Sequence, residues 1–284
     1  MFGWLGWQWA IATLAFSAAR GHEHQTRPHA RKVDEFPPTA DPYHVLARNW
    51  TRFAQSFIPW YGDFLQSAAK RFTLPIRRVL DLACGTGLVS RQISPWADLV
   101  VGLDHSEAML QQARSETQAV NVQFVQGDFS DFELDEAFDA VVCAGDSLNY
   151  VASTQQLATV FGRVTKHLRP GGLFVFDCLD HAAFIKRASL QVTMVGGDQS
   201  LDVYFFYDPQ IRVSEARVVA GSVVERHRRI PLEREDVSQA AAAAGLEVVE
   251  AFSLNRYFLV LSYVRRFYVL RKPLPVAVAG NARS

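Results

Sequence analysis

One short stretch constrains the fold of this chain more than any other. Residues 79–82 form an apolar run around a single acid, Asp81, and the turn that follows holds Gly85 and Gly87. Residues 88–93 then have helix-compatible spacing. This order predicts a buried strand, a turn whose glycines let the backbone approach a ligand, and a helix N-terminus that favours an anionic partner. The sequence therefore predicts a small-molecule pocket at this turn.

The spacing of these glycines disfavours a dinucleotide as the ligand. A dinucleotide-binding turn carries a third glycine, but the third residue after Gly87 is Ser90. Asp81 also lies inside the strand, where its carboxylate can reach the amino group of an amino-acid ligand. A nicotinamide-dependent oxidoreductase on a related sheet stays open as the alternative enzyme.

Acidic residues also follow two later strands. The apolar run 99–103 ends at Asp104, and the run 120–125 is followed by Gly127 and Asp128. An acid at the tip of the second strand can accept hydrogen bonds from both hydroxyls of a ribose. Because the carboxyl ends of parallel strands share one edge of the sheet, we expect these acids at one ligand-binding edge.

This ordered set of motifs resembles the class I S-adenosylmethionine-dependent methyltransferases of the small-molecule type. A further match is the Leu-Arg-Pro-Gly-Gly turn at 168–172, and the resemblance covers roughly residues 41–273. It implies an α/β fold with a Rossmann-like, seven-stranded mixed sheet whose last strand is antiparallel, and with helices on both faces. It also implies S-adenosylmethionine as the cofactor. Nitrogen, oxygen and carbon acceptors all stay open, because a shared fold does not choose the methylated atom.

The resemblance implies roles for individual residues. The predicted cofactor-binding residues are Tyr43, Asp81, Ala83, Gly85, Gly87, Asp104, His105, Met109, Gly127, Asp128, Phe129 and Ala144. Asn149 and Tyr150 are the predicted substrate contacts. A general base would speed transfer to a hydroxyl or a carbon acid, and the candidates are Asp146, His181 and His227. For Tyr43 and Met109, a role in the apolar core is the alternative interpretation.

Residues 186–230 change to a period of two. They are rich in Val, Tyr and Phe and are interrupted by turn signals, which predicts an antiparallel β inset after the fifth strand. The inset resembles the substrate lid of the glycine and sarcosine type of methyltransferase and would exclude water. Glu225, His227 and Arg229 share one face of its last strand, either as a solvated edge or as a site for an anionic substrate. Residues 41–284 are thus predicted to form one domain with a lid insertion.

Residues 1–40 are predicted to be an N-terminal apolar segment and a linker. Residues 2–19 are apolar and carry three tryptophans, close to the lower length limit for a membrane span, and no basic residue precedes them. The interpretations are a membrane anchor, a helix packed on the domain or on a second subunit of a homodimer, and an over-extended start. Basic residues begin at Arg20, so an anchor would leave the rest of the chain in the cytoplasm. The linker histidines are interpreted as solvated, and no metal site is predicted.

Composition and motifs limit the classes of partner that this chain is expected to bind. Lys and Arg together number 29, as do Asp and Glu, so the net charge of zero gives no electrostatic footprint for nucleic acid. Residues 144–150 also lack the Asn/Asp-Pro-Pro-aromatic motif and the Pro-Cys nucleophile of nucleic-acid methyltransferases. Three cysteines at predicted strands indicate reduced thiols and a cytoplasmic location. We therefore expect a small-molecule acceptor. The alternative from another class is a cofactor-binding protein without transfer activity.

Overall fold

The structure is a computed structural model, and it describes residues 43, 45–54, 58, 60–196, 199–258 and 261–275. The predicted apolar segment at 2–19 and the linker that follows it lie outside the described residues. Their interpretation therefore stays a prediction.

A seven-stranded mixed sheet forms the centre of the fold. Its strands are β1 (Arg78–Leu82), β2 (Leu99–Asp104), β3 (Val122–Gln126), β4 (Phe138–Cys143), β5 (Leu168–Cys178), β10 (Glu247–Phe258) and β11 (Leu261–Arg271). Their spatial order is β10-β11-β5-β4-β1-β2-β3. The strands β1 to β5 pair in parallel, whereas β11 is antiparallel to both of its neighbours. The predicted seven-stranded sheet with an antiparallel last strand is confirmed.

Helices cover both faces of the sheet because its central strands are apolar on both sides. The helices are α1 (Ala47–Ala54), α2 (Tyr61–Arg71), α3 (Leu88–Ile93), α4 (Glu107–Glu116), α5 (Thr154–His167), α6 (His181–Arg187) and α7 (Arg234–Ala243), with a 3-10 turn at Ser147–Tyr150. Side chains of strand β1 lie on both faces of the sheet. Leu80 and Leu82 pack with α5 and α7, whereas Val79 packs on the opposite face with α2 and α3.

The predicted antiparallel inset is present as a separate sheet. Its strands are β6 (Gln191–Gly196), β7 (Gln199–Asp208), β8 (Val213–Ala220) and β9 (Val223–Arg229), paired in that order. Residues along β8 alternate between half-buried and buried, as expected for a sheet with one face on the core. The buried face packs against Leu46, Ala47 and Met109. The inset therefore covers the same region as α1 and the start of α4.

The C-terminal hairpin differs from its prediction in one respect. Residues 255–261 are predicted as a connecting loop, but pairing between β10 and β11 continues to Phe258 and Leu261. Residues 255–258 and 261 are therefore strand residues and not part of a loop.

Candidate functional site

A cavity of about 340 Å³ lies at the carboxyl ends of β1, β2 and β4, between α1 and the inset. This edge is where open α/β sheets bind ligands, and the volume is in the range of small-molecule sites. The inset contributes apolar side chains to its wall, through Val192, Val203, Phe205, Ala216 and Val218. The polar side chains that line it fall into two groups, one acidic and one mainly basic.

Asp81 is the most buried acid of the first group, with 1% of its surface exposed. Its Oδ2 accepts a hydrogen bond from the hydroxyl of Ser90 at 2.6 Å. Burial raises the pKa of Asp81 to about 7, and the hydrogen bonds from Ser90 limit the rise. A cationic ligand group would favour the ionised form of this carboxyl. Ser90 occupies the position of a third glycine, and its hydroxyl is bonded to Asp81 there.

Asp104, at the end of β2, is hydrogen-bonded to the glycine turn that follows β1. Its Oδ2 accepts a hydrogen bond from the backbone N–H of Gly85 at 2.7 Å, and its Oδ1 accepts one from Ser106 at 2.9 Å. Both Asp81 and Asp104 line the cavity. The two acids therefore face one shared space, with the glycine turn between them.

The glycine turn brings backbone close to the cavity. Gly85 has a φ of +54°, and a Cβ placed on it would lie 3.3 Å from Nε1 of Trp50 and 4.0 Å from Sδ of Met109. Ala83 is also in the left-handed region, with a φ of +57°, although it is not glycine. Strained non-glycine residues of this kind are concentrated at binding sites. A side chain at position 85 would therefore crowd Trp50 and Met109, both of which line the cavity.

Most of the predicted cofactor-binding residues line this cavity. These are Tyr43, Asp81, Ala83, Gly85, Asp104, His105, Met109, Gly127, Asp128, Phe129 and Ala144. Asp128 is exposed, and its Oδ1 accepts hydrogen bonds from the backbone and hydroxyl of Ser130 at 2.7 and 2.6 Å. It therefore has a weaker hold on any ligand than the two acids on β1 and β2.

Gly87 is the member of this set that the structure does not bring to the cavity. It is the N-cap of α3, with a φ of +74°, and a Cβ on it would lie 2.7 Å from Cζ of Phe124. Its position is thus explained by close packing of the turn against β3. The expected cofactor contact of Gly87 stays a prediction that this placement does not support.

The second group of polar residues is centred on Asp146, which has a φ of +55° just after β4. Its oxygens accept hydrogen bonds from Arg229 at 2.9 Å and from Arg265 at 2.8 Å, and Nη1 of Arg187 lies 3.9 Å away. Burial alone would raise the pKa of Asp146, but the three guanidinium groups hold it below its usual range. A carboxylate held in this way is a poor proton acceptor, which argues against Asp146 as the general base.

Asn149 and His181 have structural partners away from the cavity. The amide of Asn149 donates to the carbonyls of Leu179 and Ile230 at 2.8 and 2.7 Å, and its oxygen accepts from the N–H of Leu179. His181 contacts the hydroxyl of Tyr207 through Nδ1, at the first turn of α6. Neither residue lines the cavity. The structure therefore gives no support to the expected substrate contact of Asn149 or the expected catalytic role of His181, and both stay predictions.

Tyr43, Tyr150 and His227 form an aromatic group on the cavity wall. The hydroxyl of Tyr150 lies 3.3 Å from Nδ1 of His227, and the rings of Tyr43 and His227 are 4.8 Å apart. Loss of solvation and the neighbouring Tyr150 raise the pKa of Tyr43, on which Asp104 and Arg229 act in opposite directions. Tyr43 therefore lies between the acidic and the basic groups.

The sequence analysis missed Trp50 and the arginines at 187, 229 and 265 as cavity residues. The sequence contained one indication that Arg229 could be a site residue, because Glu225, His227 and Arg229 share one face of a strand. That face is buried and is not a solvated edge: the three residues have exposures of 0%, 3% and 6%. Glu225 accepts hydrogen bonds from the backbone N–H groups of Val45 and Leu46, so it attaches α1 to the inset. No local pattern marks Arg187 or Arg265.

Among the described residues, no group of three or more His, Cys, Asp or Glu side chains is arranged to hold a metal ion. In the same part of the chain, no helix combines the length and apolar character needed to cross a bilayer.

The sequence profile of the family described as "Methyltransferase domain" matches residues 79–172. This range starts in β1 and ends in β5, and it includes Asp81, Asp104 and Asp128. Residues 79–172 are therefore similar to a methyltransferase domain. This match supports the resemblance inferred from the motifs, which implies S-adenosylmethionine as the cofactor.

Relatives and solved structures extend this similarity beyond the matched range. The Bacillus subtilis (strain 168) protein YqeM is 30% identical over 178 residues, which are 62% of this chain and 65% of the relative. A dTDP-3-amino-3,4,6-trideoxy-alpha-D-glucopyranose N,N-dimethyltransferase from Streptomyces venezuelae is 35% identical over 99 residues, 35% of this chain and 41% of the relative. The chain spans about half to two thirds of the length of the first curated relatives it matches.

The fold is also that of a solved S-adenosylmethionine-dependent methyltransferase from Clostridium acetobutylicum ATCC 824. The TM-score is 0.69 at 18% identity, and the superposition covers 80% of this chain and 99% of that structure. At this identity the similarity concerns the fold alone.

The residues present fit S-adenosylmethionine at the acidic end of the cavity. Asp81 and Asp104 are suited to an ammonium group and to ribose hydroxyls, because a carboxylate accepts charge-assisted hydrogen bonds from both. The backbone at Gly85 has space below Trp50 and Met109 that a Cβ would fill.

Proposed function

We propose that this protein transfers a methyl group from S-adenosylmethionine to a small-molecule acceptor inside the cavity. The observation that carries the proposal is the shared space faced by Asp81 and Asp104, with Gly85 bonded to Asp104 between them. Asp81 would hold the amino group of the cofactor and Asp104 its ribose. Ala83, Gly85, Met109 and Ala144 would form the walls around it.

When bound, S-adenosylmethionine supplies an activated methyl group on a sulfonium. The task left to the chain is to align the acceptor and to exclude water, and good alignment is worth about 7 to 11 kcal/mol of the barrier. The inset sheet, with Val203 and Phe205 on the cavity, closes the side opposite the strand tips. Residues 186–230 would thus act as the substrate lid.

His227 is the best-placed candidate for a general base. It lines the cavity with 3% exposure, and its Nδ1 lies 3.3 Å from the hydroxyl of Tyr150. Tyr150 would then contact the acceptor and position the imidazole. The named substrates of relatives include an amino sugar, which supports a small-molecule acceptor without naming it.

Binding and transfer are tested separately. Calorimetry should show that the folded protein binds S-adenosylmethionine and S-adenosylhomocysteine, whereas no binding by folded protein would overturn the proposal. Release of S-adenosylhomocysteine over a panel of amine, hydroxyl and carbon-acid acceptors then measures transfer. Binding without release for every acceptor would favour a cofactor-binding protein.

The role of His227 has its own test. His227→Gln should lower kcat by about 10² to 10⁴ for a hydroxyl or carbon-acid acceptor while cofactor affinity stays constant. The exposed Arg228→Gln on the same strand is the matched control and should leave kcat unchanged. An equal kcat in His227→Gln and in the unsubstituted protein would exclude His227 as the base.

A further inference from the structure

Glu225 and His227 form a buried pair on the last strand of the inset. They are alternate residues of β9, so their side chains leave the strand on the same face. Their register partners on β8 are Val218 and Ala216, two buried apolar residues that line the cavity. The pair therefore lies in apolar surroundings, where an interaction between charges is stronger than in water.

The carboxylate of Glu225 is held mainly by backbone donors. Its Oε1 accepts from the N–H of Val45, and its Oε2 accepts from the N–H of Leu46 at 3.1 Å. Within the described residues its ion-pair partner is His227, whose Nε2 lies 3.9 Å from Oε2. Because both oxygens accept from N–H groups, neither presents a proton to His227. A buried carboxylate of this kind stabilises a positive charge that forms beside it.

The two ring nitrogens of His227 have different surroundings. Nδ1 lies 3.3 Å from the hydroxyl of Tyr150. Nε2 is buried, makes no hydrogen bond within the described residues and faces the carboxylate of Glu225. A lone pair on Nε2 would be repelled by that carboxylate, whereas an N–H there is attracted to it. The surroundings therefore favour the Nε2–H tautomer, which leaves the lone pair of Nδ1 for the hydroxyl proton of Tyr150.

The other polar groups near the ring do not replace Glu225. The ring of Tyr43 lies 4.8 Å from that of His227, and burial raises the pKa of both Tyr43 and Tyr150 above the ordinary value of 10. Both hydroxyls are therefore uncharged near neutral pH. Arg229 lies 5.8 Å from the Tyr150 ring and is bonded to Asp146. Glu225 is thus the negative group that Nε2 of His227 faces.

We propose that Glu225 is the positioning residue of the general base: it fixes His227 in the Nε2–H tautomer and compensates the imidazolium that forms during transfer. This rests on the proposed function and adds the residue that controls its base. As the acceptor exchanges its proton for the methyl group, that proton passes to the oxygen of Tyr150. The hydroxyl proton of Tyr150 passes to Nδ1 of His227. Tyr150 ends neutral, and the imidazole gains one proton and one positive charge beside Glu225.

The tautomer is measured by ¹⁵N NMR on the full, ligand-free chain with labelled histidine, at about pH 8, where an ordinary imidazole is neutral. The signals of His227 are those that His227→Gln lacks. They should show a protonated Nε2 and an unprotonated Nδ1. Glu225→Gln keeps the shape of the side chain and removes its charge, so the ratio of Nε2–H to Nδ1–H should fall about tenfold. An Nδ1–H tautomer in the unsubstituted protein, or an unchanged ratio in Glu225→Gln, overturns the proposal.

Two further variants make this result specific. Glu215→Gln is the same substitution on the opposite face of the inset, where Glu215 pairs with Arg217, and it should leave the ratio unchanged. An equal fall in this control would overturn the assignment to Glu225. Glu225→Asp keeps the charge at a greater distance from the ring, so its ratio should lie between those of the other two. It is also the second variant if Glu225→Gln fails to fold, and a ratio equal to that of the unsubstituted protein would then count against the proposal.

Kinetics separate a positioning role from a structural one. For the best hydroxyl or carbon-acid acceptor of the panel, Glu225→Gln should lower kcat about tenfold and leave KM unchanged, because Glu225 does not line the cavity. Glu225→Asp should restore part of this loss. In a His227→Gln background, Glu225→Gln should cause no further loss of kcat, since its effect passes through His227. An additional tenfold loss in the double variant would show a separate role and overturn the proposal.

Failure of this inference and failure of the proposed function give different results. An unchanged tautomer ratio in a protein that binds S-adenosylhomocysteine would overturn the role of Glu225 alone. Absence of S-adenosylhomocysteine binding by the unsubstituted, folded protein would overturn the proposed function, and with it the role of Glu225 in transfer.

Discussion

The two ends of the cavity are built in different ways. The acidic end comes from consecutive strand-to-helix turns, so that Asp81, Gly85 and Asp104 lie within 24 residues of one another. The basic end draws Asp146, Arg187, Arg229 and Arg265 from four separate elements. In the sheet, the boundary falls between β1 and β4, where the strand order reverses. One end is therefore a local motif, whereas the other exists only in the assembled fold.

The two ends also differ in how their charges are satisfied. Backbone and hydroxyl donors bind the acids on β1 and β2. At the basic end, Asp146 and Asp177 are bonded to arginines of the chain itself. Changes at the acidic end should mainly alter ligand affinity, while changes at the basic end should also alter stability.

The largest effect is expected for Asp177→Ala at the basic end. Asp177 is fully buried and binds Arg265, Tyr61 and the backbone after β4. Its removal takes away one of the two carboxylates that bind the buried guanidinium of Arg265 and leaves the N–H of Gly145 without its acceptor. The free energy of unfolding should therefore fall by about 3 to 5 kcal/mol in denaturant titrations.

Asp98→Ala is the matched control for this prediction. Asp98 pairs with Arg77 at 3.1 Å, with 63% and 72% of the two side chains exposed. A surface pair of this kind should contribute less than about 1 kcal/mol. Similar losses for the two variants would mean that burial does not distinguish the basic end.

Asp104→Ala should have the next largest effect, on cofactor binding. Removal of the carboxylate that would accept the ribose hydroxyls should weaken S-adenosylmethionine binding by about 1 to 3 kcal/mol in calorimetry. Because Asp104 also binds the N–H of Gly85, Asp104→Asn is needed as the variant that keeps this bond. If the affinity of both variants equals that of the unsubstituted protein, the ribose lies elsewhere.

The raised pKa of Asp81, about 7, predicts a pH-dependent affinity. Below pH 7, the carboxyl of Asp81 must lose its proton when it binds an ammonium group. Affinity should therefore rise about five- to tenfold from pH 6 to 7.5, an interval that lies below the usual pKa range of an α-amino group. Asp81→Asn should bind more weakly and without this slope. A flat profile in the unsubstituted protein would place the ammonium away from Asp81.

The same pKa predicts the sign of the effect on stability. The folded-state value lies above the ordinary value of 3.8, so the contribution of Asp81 is present below pH 4 and is lost as the pH rises towards 7. As the pH rises from 4 to 7, the unfolding free energy of the unsubstituted protein should therefore fall relative to that of Asp81→Asn.

The smallest effect is expected for Asp128→Ala. Its carboxylate is exposed and already bonded to Ser130, so loss of a solvated contact should weaken cofactor binding by less than about 1 kcal/mol. Asp131→Ala, three residues away and paired with Arg163, is the control with no expected effect. A loss as large as that of Asp104→Ala would show that the acidic end extends to β3.

The predicted fold agrees with the structure where hydrophobic periodicity and turn residues act locally. The strands that end at Leu82 and Asp104 and the period-two inset are all present. The expected roles that the structure does not support belong to residues whose partners lie far away in the chain. Asn149 is occupied by Leu179 and Ile230, and Asp146 is neutralised by arginines at 229 and 265.

The sequence by itself determined the acidic end of the cavity, because a strand, a glycine turn and the next strand place their carboxylates by local geometry alone. Tertiary structure alone decided the basic end. A buried ion network has no sequence period, and its members meet only after β11 inserts beside β5 and the inset closes over the sheet. Desolvation then makes their pairing strong, and this effect exists only once the surrounding elements have packed.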